Sequence, residues 1–219
     1  MLELVLMEVI PVINCPDFSC VKEKAKQARE LGAEWVHLDV ADGIFTKEKT
    51  WNNPEDLEKL AEELDDLKIE AHLMVADPAS AMDDWLYYGV DRVIIHFEAI
   101  EDGWEIICDR IEREGRELGI AIAPETPVRV LEPYLKAVTL VQLLAVTPGP
   151  AGQNFNPVIL EKLKEIKKRE PDVEVEIDGG INPETAALVK KAGADIVVSA
   201  SYIWKNKDPQ EAFEKLRDI

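Results

Sequence analysis

Eight short apolar runs alternate with segments of helical character along the whole chain, and this alternation limits the possible folds more than any other feature. The runs are LVLMEVIPVI, WVHLDV, IEAHLMV, RVIIHF, GIAIAP, VTLVQLLAV, VEVEID and DIVVSAS. Near-continuous runs of this kind are typical of parallel strands that are buried on both faces. Eight strand–helix units in strict alternation favour a closed barrel over an open sheet. We therefore predict one α/β domain over residues 1–219, a single (β/α)8 TIM barrel.

Capping signals between these runs predict where the helices begin. An Asn-Pro or Asp-Pro pair opens NPEDLEKLAEELDDL, DPASAMDDWLYYG, NPVILEKLKEIKKRE, NPETAALVKKAGA and DPQEAFEKLRD, which is the expected order of an N-cap and a first helical residue. We expect Ser19 to cap the first helix and Gly32 to end it. The segment TPVRVLEPYLKA is expected to form the helix after the fifth strand.

Composition excludes several classes of partner. The formal net charge of −19 argues against nucleic acid and anionic membranes. No apolar run approaches the roughly 18 residues of a membrane span. The start, with Glu3 and Glu8, is expected to be a strand rather than a signal peptide. The chain has three cysteines, Cys15, Cys20 and Cys108, which are too few and too irregularly spaced for a disulfide framework. A reducing cytoplasm is therefore the expected location of the protein. The spacing of Cys15 and Cys20 is only a weak signal for a local metal site.

Polar residues gather at the predicted carboxyl ends of the strands, where the chemistry of such barrels lies. His37, His72 and His96, the three histidines of the chain, all fall there. His37 and Asp39 are two residues apart, so they share one face of a strand. With His72 and Asp178 they are expected to converge on one divalent metal ion, either zinc, manganese, iron(II) or cobalt. Alternatively, the histidines are core residues that are hydrogen-bonded to the two aspartates. The set of four favours the metal, because isolated buried carboxylates are costly.

Two carboxylates beside a metal indicate a reaction. The metal polarises a carbonyl and holds an enediolate, while Asp39 and Asp178 remove and deliver a proton on opposite faces. This is the chemistry of an epimerase that acts next to a ketone.

The loops after strands six to eight predict a phosphate site at the same mouth. TPGPAGQ, DGGI and SAS are short and rich in small residues, so their backbone N–H groups can surround an anion without a lysine. A phosphate site after strands seven and eight is a recurring feature of these barrels. The alternative is that the glycines only permit tight turns.

Taken in order, these motifs resemble the ribulose-phosphate 3-epimerase family. The family pattern H-x-D-x-M-D-G, H-x-M-V, H-x-E, N-P-x-T-P, P-G-F-x-G-Q and D-G-G-I is matched by HLDVADG, HLMV, HFE, APETP, PGPAGQ and DGGI. The resemblance implies that His37, Asp39, His72 and Asp178 are metal ligands and that Asp39 and Asp178 are the catalytic pair. It also implies a phosphate cradle, which consists of Gly149, Gly152, Gly179, Gly180, Ala200 and Ser201.

The departures from the family pattern lie around the expected substrate pocket. They are Val12, Asn14, Ala41, Leu144, Pro150, Ala151 and Ala200. Asn14, Trp51 and Asn52 are therefore candidate substrate contacts, although Trp51 could equally pack the following helix. If position 200 requires a positive φ, alanine there costs about 1 kcal/mol.

The expected function is epimerisation at C3 of a ketose phosphate, most simply D-ribulose 5-phosphate to D-xylulose 5-phosphate. A hexulose-phosphate epimerase and a hexulose-phosphate synthase-like lyase are alternatives on the same barrel. A non-catalytic ligand-binding barrel is an alternative of another class. His96 and Glu98 are expected to orient the neighbouring ligands. We also expect a homo-oligomer, for which DDWLYYG is a candidate contact, unless Trp85, Tyr87 and Tyr88 pack the helix onto the barrel.

Overall fold

Eight parallel strands form a closed barrel in chain order, and β8 pairs with β1. The computed structural model describes residues 7–61, 66–100, 103–149 and 152–219. The strands are β1 (Glu8–Ile13), β2 (Trp35–Ala41), β3 (Lys68–Met74), β4 (Arg92–His96), β5 (Glu117–Ile122), β6 (Leu140–Leu144), β7 (Glu174–Asp178) and β8 (Ile196–Ser199). Each of the eight apolar runs contributes one strand, so the predicted (β/α)8 TIM barrel is confirmed. Glu3 and the start of the first run lie outside the described residues.

Helices follow most of the strands. They are α1 (Phe18–Glu30), α2 (Leu57–Ala61), α3 (Pro78–Tyr87), α4 (Trp104–Glu114), α5 (Ile159–Arg169), α6 (Pro183–Ala192), α7 (Ser201–Trp204) and α8 (Pro209–Arg217). None of the helices in the described part of the chain is long and apolar enough to cross a membrane.

Two details of the predicted helices were wrong. The cap of α1 is Asp17, whose Oδ1 accepts from the backbone N–H of Cys20 at 3.0 Å, whereas Ser19 lies inside the helix. The segment after β5 forms only a 3₁₀ turn over Val128–Leu131. Pro133 explains this difference, because a proline lacks the N–H of a helical hydrogen bond and its ring clashes with the preceding turn.

The Asx-Pro openings act as expected at three helices. The side chains of Asp77, Asn182 and Asp208 accept hydrogen bonds from backbone N–H groups in the first turns of α3, α6 and α8. These caps satisfy donors that have no partner within the helix. They fix where these helices begin, and Asp77 and Asn182 thereby mark the ends of the loops that follow β3 and β7.

The apolar core has two parts. The larger part fills the space between the barrel and its helices, and the smaller part lies inside the barrel. Inside, apolar side chains share the space with buried polar ones, which are His37, Glu70, His72, Arg92, His96, Gln142 and Glu176. Because inward-facing residues alternate along each strand, a polar residue two positions from another stacks above it in the barrel.

Cys15 and Cys20 form a disulfide that joins the end of β1 to the first turn of α1. The sequence analysis had expected no disulfide framework. The two Cα atoms lie 5.7 Å apart, within the usual range for a disulfide. The sulfur atoms are bonded to each other, so the local metal site considered for this pair is replaced by a covalent link. Cys108 is a free thiol.

Candidate active site

His37 and Asp39 project into the mouth of the barrel from β2, next to His72 on β3. The two strands are paired so that Asp39 lies opposite His72. Both imidazoles are fully buried. Asp178 reaches the same mouth from the end of β7. The alternation of inward-facing residues therefore brings the three strands' polar ends together, as the sequence predicted.

The four predicted ligands form one cluster. One ligand atom from each of His37, Asp39, His72 and Asp178 lies within 4.8 Å of the others. Nitrogen and carboxylate oxygen are the donors that zinc, manganese, iron(II) and cobalt accept. Nε2 of His37 is buried, makes no hydrogen bond of good geometry and faces this cluster. The donor set and the unpartnered nitrogen both fit a divalent cation.

Asp39 is held on both of its oxygens. Oδ1 lies 3.4 Å from Nε2 of His37 and 3.3 Å from Nδ1 of His72. Oδ2 accepts a hydrogen bond from the amide of Asn14 at 2.9 Å. One carboxylate oxygen therefore faces the histidines, and the other faces the end of β1.

The two aspartates have opposite pKa shifts. Burial favours the neutral form of Asp39, but the neighbouring imidazoles of His37 and His72 outweigh burial and lower its pKa below the usual range. Burial, reinforced by the nearby charge of Asp39, raises the pKa of Asp178 to about 7. Two carboxyl groups in one site with separated pKa values can serve as base and acid.

His96 extends the site behind His72. Nε2 of His72 lies 2.9 Å from Nε2 of His96, and Nδ1 of His96 lies 3.1 Å from Oε2 of Glu98. The other carboxylate oxygen of Glu98 accepts from the backbone N–H of Ala123 at 2.9 Å and from the hydroxyl of Thr126. Hydrogen bonds with His96 and Thr126 lower the pKa of Glu98 to about 2, against the effect of its burial. The expected orienting contacts of His96 and Glu98 are therefore present around His72.

A second polar group lies below His37, and the sequence analysis missed it. Oε1 of Glu70 lies 2.7 Å from Nδ1 of His37, and Oε2 of Glu70 accepts from Arg92 at 2.8 Å. Glu176 accepts from the amide of Gln142 at 3.0 Å and is fully buried. Glu70 and Glu176 each precede a predicted ligand by two residues on a strand. This shared spacing is the signal in the sequence that is consistent with a position inside the barrel.

The predicted phosphate cradle lines one cavity beside Asp39 and Asp178. The residues of the cradle on that cavity are Gly149, Gly152, Gly179, Gly180, Ala200 and Ser201. A Cβ on Gly180 would lie 2.6 Å from the backbone nitrogen of Phe155, and a Cβ on Gly179 would lie 2.5 Å from Val146. Both glycines have a positive φ. They are therefore required by close packing as well as by the turn. Two of the residues that depart from the family pattern, Pro150 and Ala151, lie outside the described residues.

Position 200 does not need a glycine. Ala200 has a φ of −102°, so no strain is expected from its side chain. A cation also lies near the cradle: a Cβ on Gly152 would be 3.8 Å from Nζ of Lys205. The sequence analysis had expected an anion site without a lysine, and it missed Lys205 because this residue follows the SAS motif by a full helical turn.

The remaining candidate contacts have different surroundings. The ring of Trp51 packs against Phe18 at 5.6 Å and Trp85 at 5.5 Å, and its indole N–H donates to Asp56. These contacts favour the packing interpretation of Trp51. Asn52 is exposed on the loop before α2.

Comparison with known proteins relates the chain to one enzyme family. The profile of the ribulose-phosphate 3 epimerase family matches residues 8–204. The chain belongs to this family. It is 35% identical over 214 residues to the ribulose-phosphate 3-epimerase of Chlamydia muridarum, covering 95% of this chain and 92% of that protein. It is 33% identical to the enzyme of Bacillus subtilis, covering 97% of this chain and 99% of that protein. Family membership makes the chain an isomerase that acts on carbohydrates.

Solved structures add information on the fold alone. The 3-hexulose-6-phosphate synthase of Salmonella typhimurium superimposes with a TM-score of 0.72, at 15% identity and 97% coverage of both chains. An identity this low says nothing about the reaction, because one barrel supports many chemistries.

Proposed function

We propose that this protein is a metal-dependent epimerase that inverts C3 of D-ribulose 5-phosphate to give D-xylulose 5-phosphate. The observation that carries the proposal is the cluster in which Asp39 and Asp178 reach the same point from β2 and β7, with His37 and His72 beside them. Two carboxylates and two imidazoles within 4.8 Å suit both a divalent cation and a pair of proton carriers.

In this proposal, His37, Asp39, His72 and Asp178 hold the cation. When bound, the ion would polarise the C2 carbonyl of the ketose and stabilise negative charge on its oxygen. Whether zinc, manganese, iron(II) or cobalt is used is left to metal replacement experiments, because all four accept this donor set.

The chain's own groups move the proton. Asp39, whose pKa is lowered, starts as a carboxylate and removes the proton from C3, which leaves an enediolate. Asp178, whose pKa burial raises to about 7, delivers a proton to the other face of C3. The product therefore has the opposite configuration at C3. The reverse reaction begins from protonated Asp39 and ionised Asp178, so each aspartate serves as acid in one direction and as base in the other.

The cavity beside the aspartates is the proposed phosphate site. Gly149, Gly152, Gly179 and Gly180 leave backbone close to the cavity, and Ser201 adds a hydroxyl. The ammonium of Lys205 lies beside Gly152 and is the nearby cation that an acidic protein needs to attract an anion. The amide of Asn14 donates a hydrogen bond to Asp39. Its proposed role is therefore to orient the base, Asp39.

An association between copies of the chain belongs to the same proposal. Tyr87 on α3 is 77% exposed, whereas Trp85 of the same segment is buried against the barrel. Tyr87 is therefore the part of DDWLYYG that remains available for a subunit contact. Light scattering on the wild type and on Tyr87→Glu tests this, and identical masses would remove Tyr87 from the contact.

Solvent exchange tests the reaction. The protein is incubated with D-ribulose 5-phosphate in D2O and, in turn, zinc, manganese, iron(II) and cobalt, and deuterium at C3 is followed by NMR. We expect metal-dependent deuterium uptake with formation of D-xylulose 5-phosphate, and loss of both in Asp39→Asn. Asp172→Asn, the same change at an exposed residue before β7, serves as the matched control. Exchange with a six-carbon ketose phosphate but not with the pentulose would reject the proposed substrate. No exchange with any of them would favour a non-catalytic binding barrel.

A further inference from the structure

Two carboxylates that the proposed reaction does not use, those of Glu70 and Glu98, each end a hydrogen-bonded path to one of the histidine ligands. We propose that they are positioning residues that decide which ring nitrogen of each ligand faces the metal. The assignment is Nε2 for His37 and Nδ1 for His72. This inference rests on the proposed metal site.

The path from Glu70 to His37 is direct. Oε1 of Glu70 lies 2.7 Å from Nδ1 of His37, and both side chains are fully buried. A carboxylate only accepts hydrogen bonds, so the proton must be on Nδ1. In the neutral imidazole that binds a cation, Nε2 then carries the lone pair, and this buried nitrogen lies 3.4 Å from Oδ1 of Asp39.

Arg92 holds Glu70 in the orientation that this requires. Its guanidinium donates to Oε2 of Glu70 at 2.8 Å, which leaves Oε1 for His37. Arg92 is itself fixed by Glu117, to which its Nε donates at 2.8 Å. Glu117 is part of the same ion-pair group but makes no hydrogen bond to a histidine within the described residues, so it offers a matched control for Glu70.

The path from Glu98 to His72 passes through His96. Oε2 of Glu98 lies 3.1 Å from Nδ1 of His96, which places a proton on that nitrogen. Nε2 of neutral His96 is then an acceptor. It lies 2.9 Å from Nε2 of His72, so His72 must donate from its Nε2.

The two paths therefore converge on Asp39 from opposite ring positions. Nδ1 of His72 is left with a lone pair and lies 3.3 Å from the same Oδ1 that faces His37. With the other tautomer of either histidine, an N–H bond would point at the cation position. Carboxylates that hold metal-binding imidazoles in this way commonly fix both the tautomer and the ring orientation.

The first test reads the tautomers directly. The chain has only three histidines, so long-range ¹H–¹⁵N NMR spectra of zinc-loaded protein with ¹⁵N-labelled histidine contain three imidazole patterns. We expect protonated Nδ1 in His37 and His96, and protonated Nε2 in His72, with zinc on the remaining nitrogens of His37 and His72. His96→Asn assigns one pattern by its loss. A reversed tautomer at either ligand overturns the inference, and this result does not depend on any substrate.

The second test measures zinc affinity by competition with a chromophoric chelator. Loss of such an outer hydrogen bond typically lowers metal affinity by roughly 10- to 100-fold, and we expect this for Glu70→Gln and Glu98→Gln. Glu117→Gln should change the affinity by less than about 3-fold, since it alters Arg92 but leaves both paths intact. Circular dichroism confirms that each variant is folded, and the less buried Glu98 provides a result if Glu70→Gln does not fold.

The outcomes separate this inference from the proposed function. If the wild type binds zinc and both variants bind it equally well, the positioning role is rejected while the metal site stands. If the wild type does not bind zinc, manganese, iron(II) or cobalt, the proposed metal site itself is rejected. An equal loss of affinity in Glu117→Gln would mean that the charged group acts on folding rather than on the ligands.

Discussion

The amide of Asn14 donates a hydrogen bond of 2.9 Å to Oδ2 of Asp39, the oxygen that does not face the two histidine ligands. Asn14 directly follows β1 and lies two positions after Val12, which lines the cavity beside Asp39. The contact joins a residue that departs from the family pattern to a residue that the pattern retains. Asn14 therefore acts on the orientation of the proposed base.

Replacement of Asn14 should weaken catalysis more than binding. Hydrogen bonds to charged groups are worth about 1.5–3 kcal/mol, so we expect Asn14→Ala to lower kcat/KM for D-ribulose 5-phosphate by roughly 10-fold or more. Most of the loss should be in kcat, because Asp39 is left without one of its fixed partners. Steady-state kinetics measure this, with Asp172→Asn, a change at an exposed residue before β7, as the control. A change in KM alone would instead place Asn14 in direct contact with the substrate.

Asp178→Asn should separate proton removal from inversion. Asp39 remains able to remove the C3 proton of one epimer and to return deuterium from the same side. We expect deuterium exchange without epimerisation, and a fall in epimerisation by roughly 10³-fold, since a positioned acid contributes about 10²–10⁴-fold. NMR in D2O follows both products at once. Equal losses of exchange and epimerisation would show that Asp178 is needed for metal binding before any proton moves.

Glu98 should contribute to resistance against acid. Its pKa is lowered from 4.5 to about 2 in the folded protein, so its stabilising effect is present above the unfolded pKa and is lost as the pH falls towards the folded one. Between pH 6 and pH 3, about 2 kcal/mol of the free energy of unfolding should therefore disappear through this group. Glu98→Gln should lack this part of the pH dependence.

Urea unfolding at several pH values between 6 and 3 measures this difference. Glu161→Gln is a suitable control, because Glu161 is an exposed residue on α5. If Glu98→Gln and the wild type lose stability in parallel as the pH falls, the hydrogen bonds to His96 and Thr126 do not favour the charged form.

The strand pattern alone predicts most of the site. His37 and Asp39 share a face because they are two residues apart, and parallel strands end at the same mouth, which brings His72 and Asp178 to them. Glu70 and Glu176 follow the same rule, yet a glutamate within an apolar run is also compatible with a strand end that faces solvent. Only the barrel register decides that they lie inside, below the ligands.

Other features depend on contacts that spacing does not report. Pro133 limits the segment after β5 to a 3₁₀ turn although the surrounding residues favour a helix. The link between Cys15 and Cys20 depends on how β1 turns into α1 around Asp17. Lys205 directly follows the short α7, which begins at the last residue of the SAS motif, and its Nζ lies near Gly152.

Substitutions in the phosphate loops should distinguish close packing from turn geometry. Gly180 and Gly152 have φ values of 68° and 82°, so alanine is strained at both positions. A Cβ on Gly180 would lie 2.6 Å from the backbone nitrogen of Phe155. A Cβ on Gly152 would lie 3.8 Å from its nearest neighbour, which is Nζ of the flexible Lys205 side chain. Gly152→Ala should cost about 1 kcal/mol of stability, and Gly180→Ala about 2 kcal/mol more.

Chemical denaturation gives the stabilities, and KM for the phosphorylated substrate gives the effect on the loop. We expect a larger rise in KM for Gly180→Ala, because Phe155 must move to admit the methyl group. Equal costs for the two variants would show that the backbone at Phe155 yields freely, and that only the turn requires glycine.

The disulfide should stabilise the start of α1 without being needed for catalysis. Closure of so short a loop restricts the unfolded chain by roughly 2 kcal/mol, so Cys20→Ser should lower the free energy of unfolding by about that amount under oxidising conditions. Intact mass spectrometry with and without a reductant verifies the link. Cys108→Ser is the matched control, because Cys108 is a free thiol on α4.

The disulfide also lies next to Asn14, because Cys15 follows Asn14 directly in the chain. The kinetic constants of Cys20→Ser therefore show whether the disulfide fixes Asn14. Unchanged kcat with reduced stability is the expected result, since Asn14 is already held by Asp39. A fall in kcat that reductant reproduces in the wild type would instead assign the bridge a direct effect on the base.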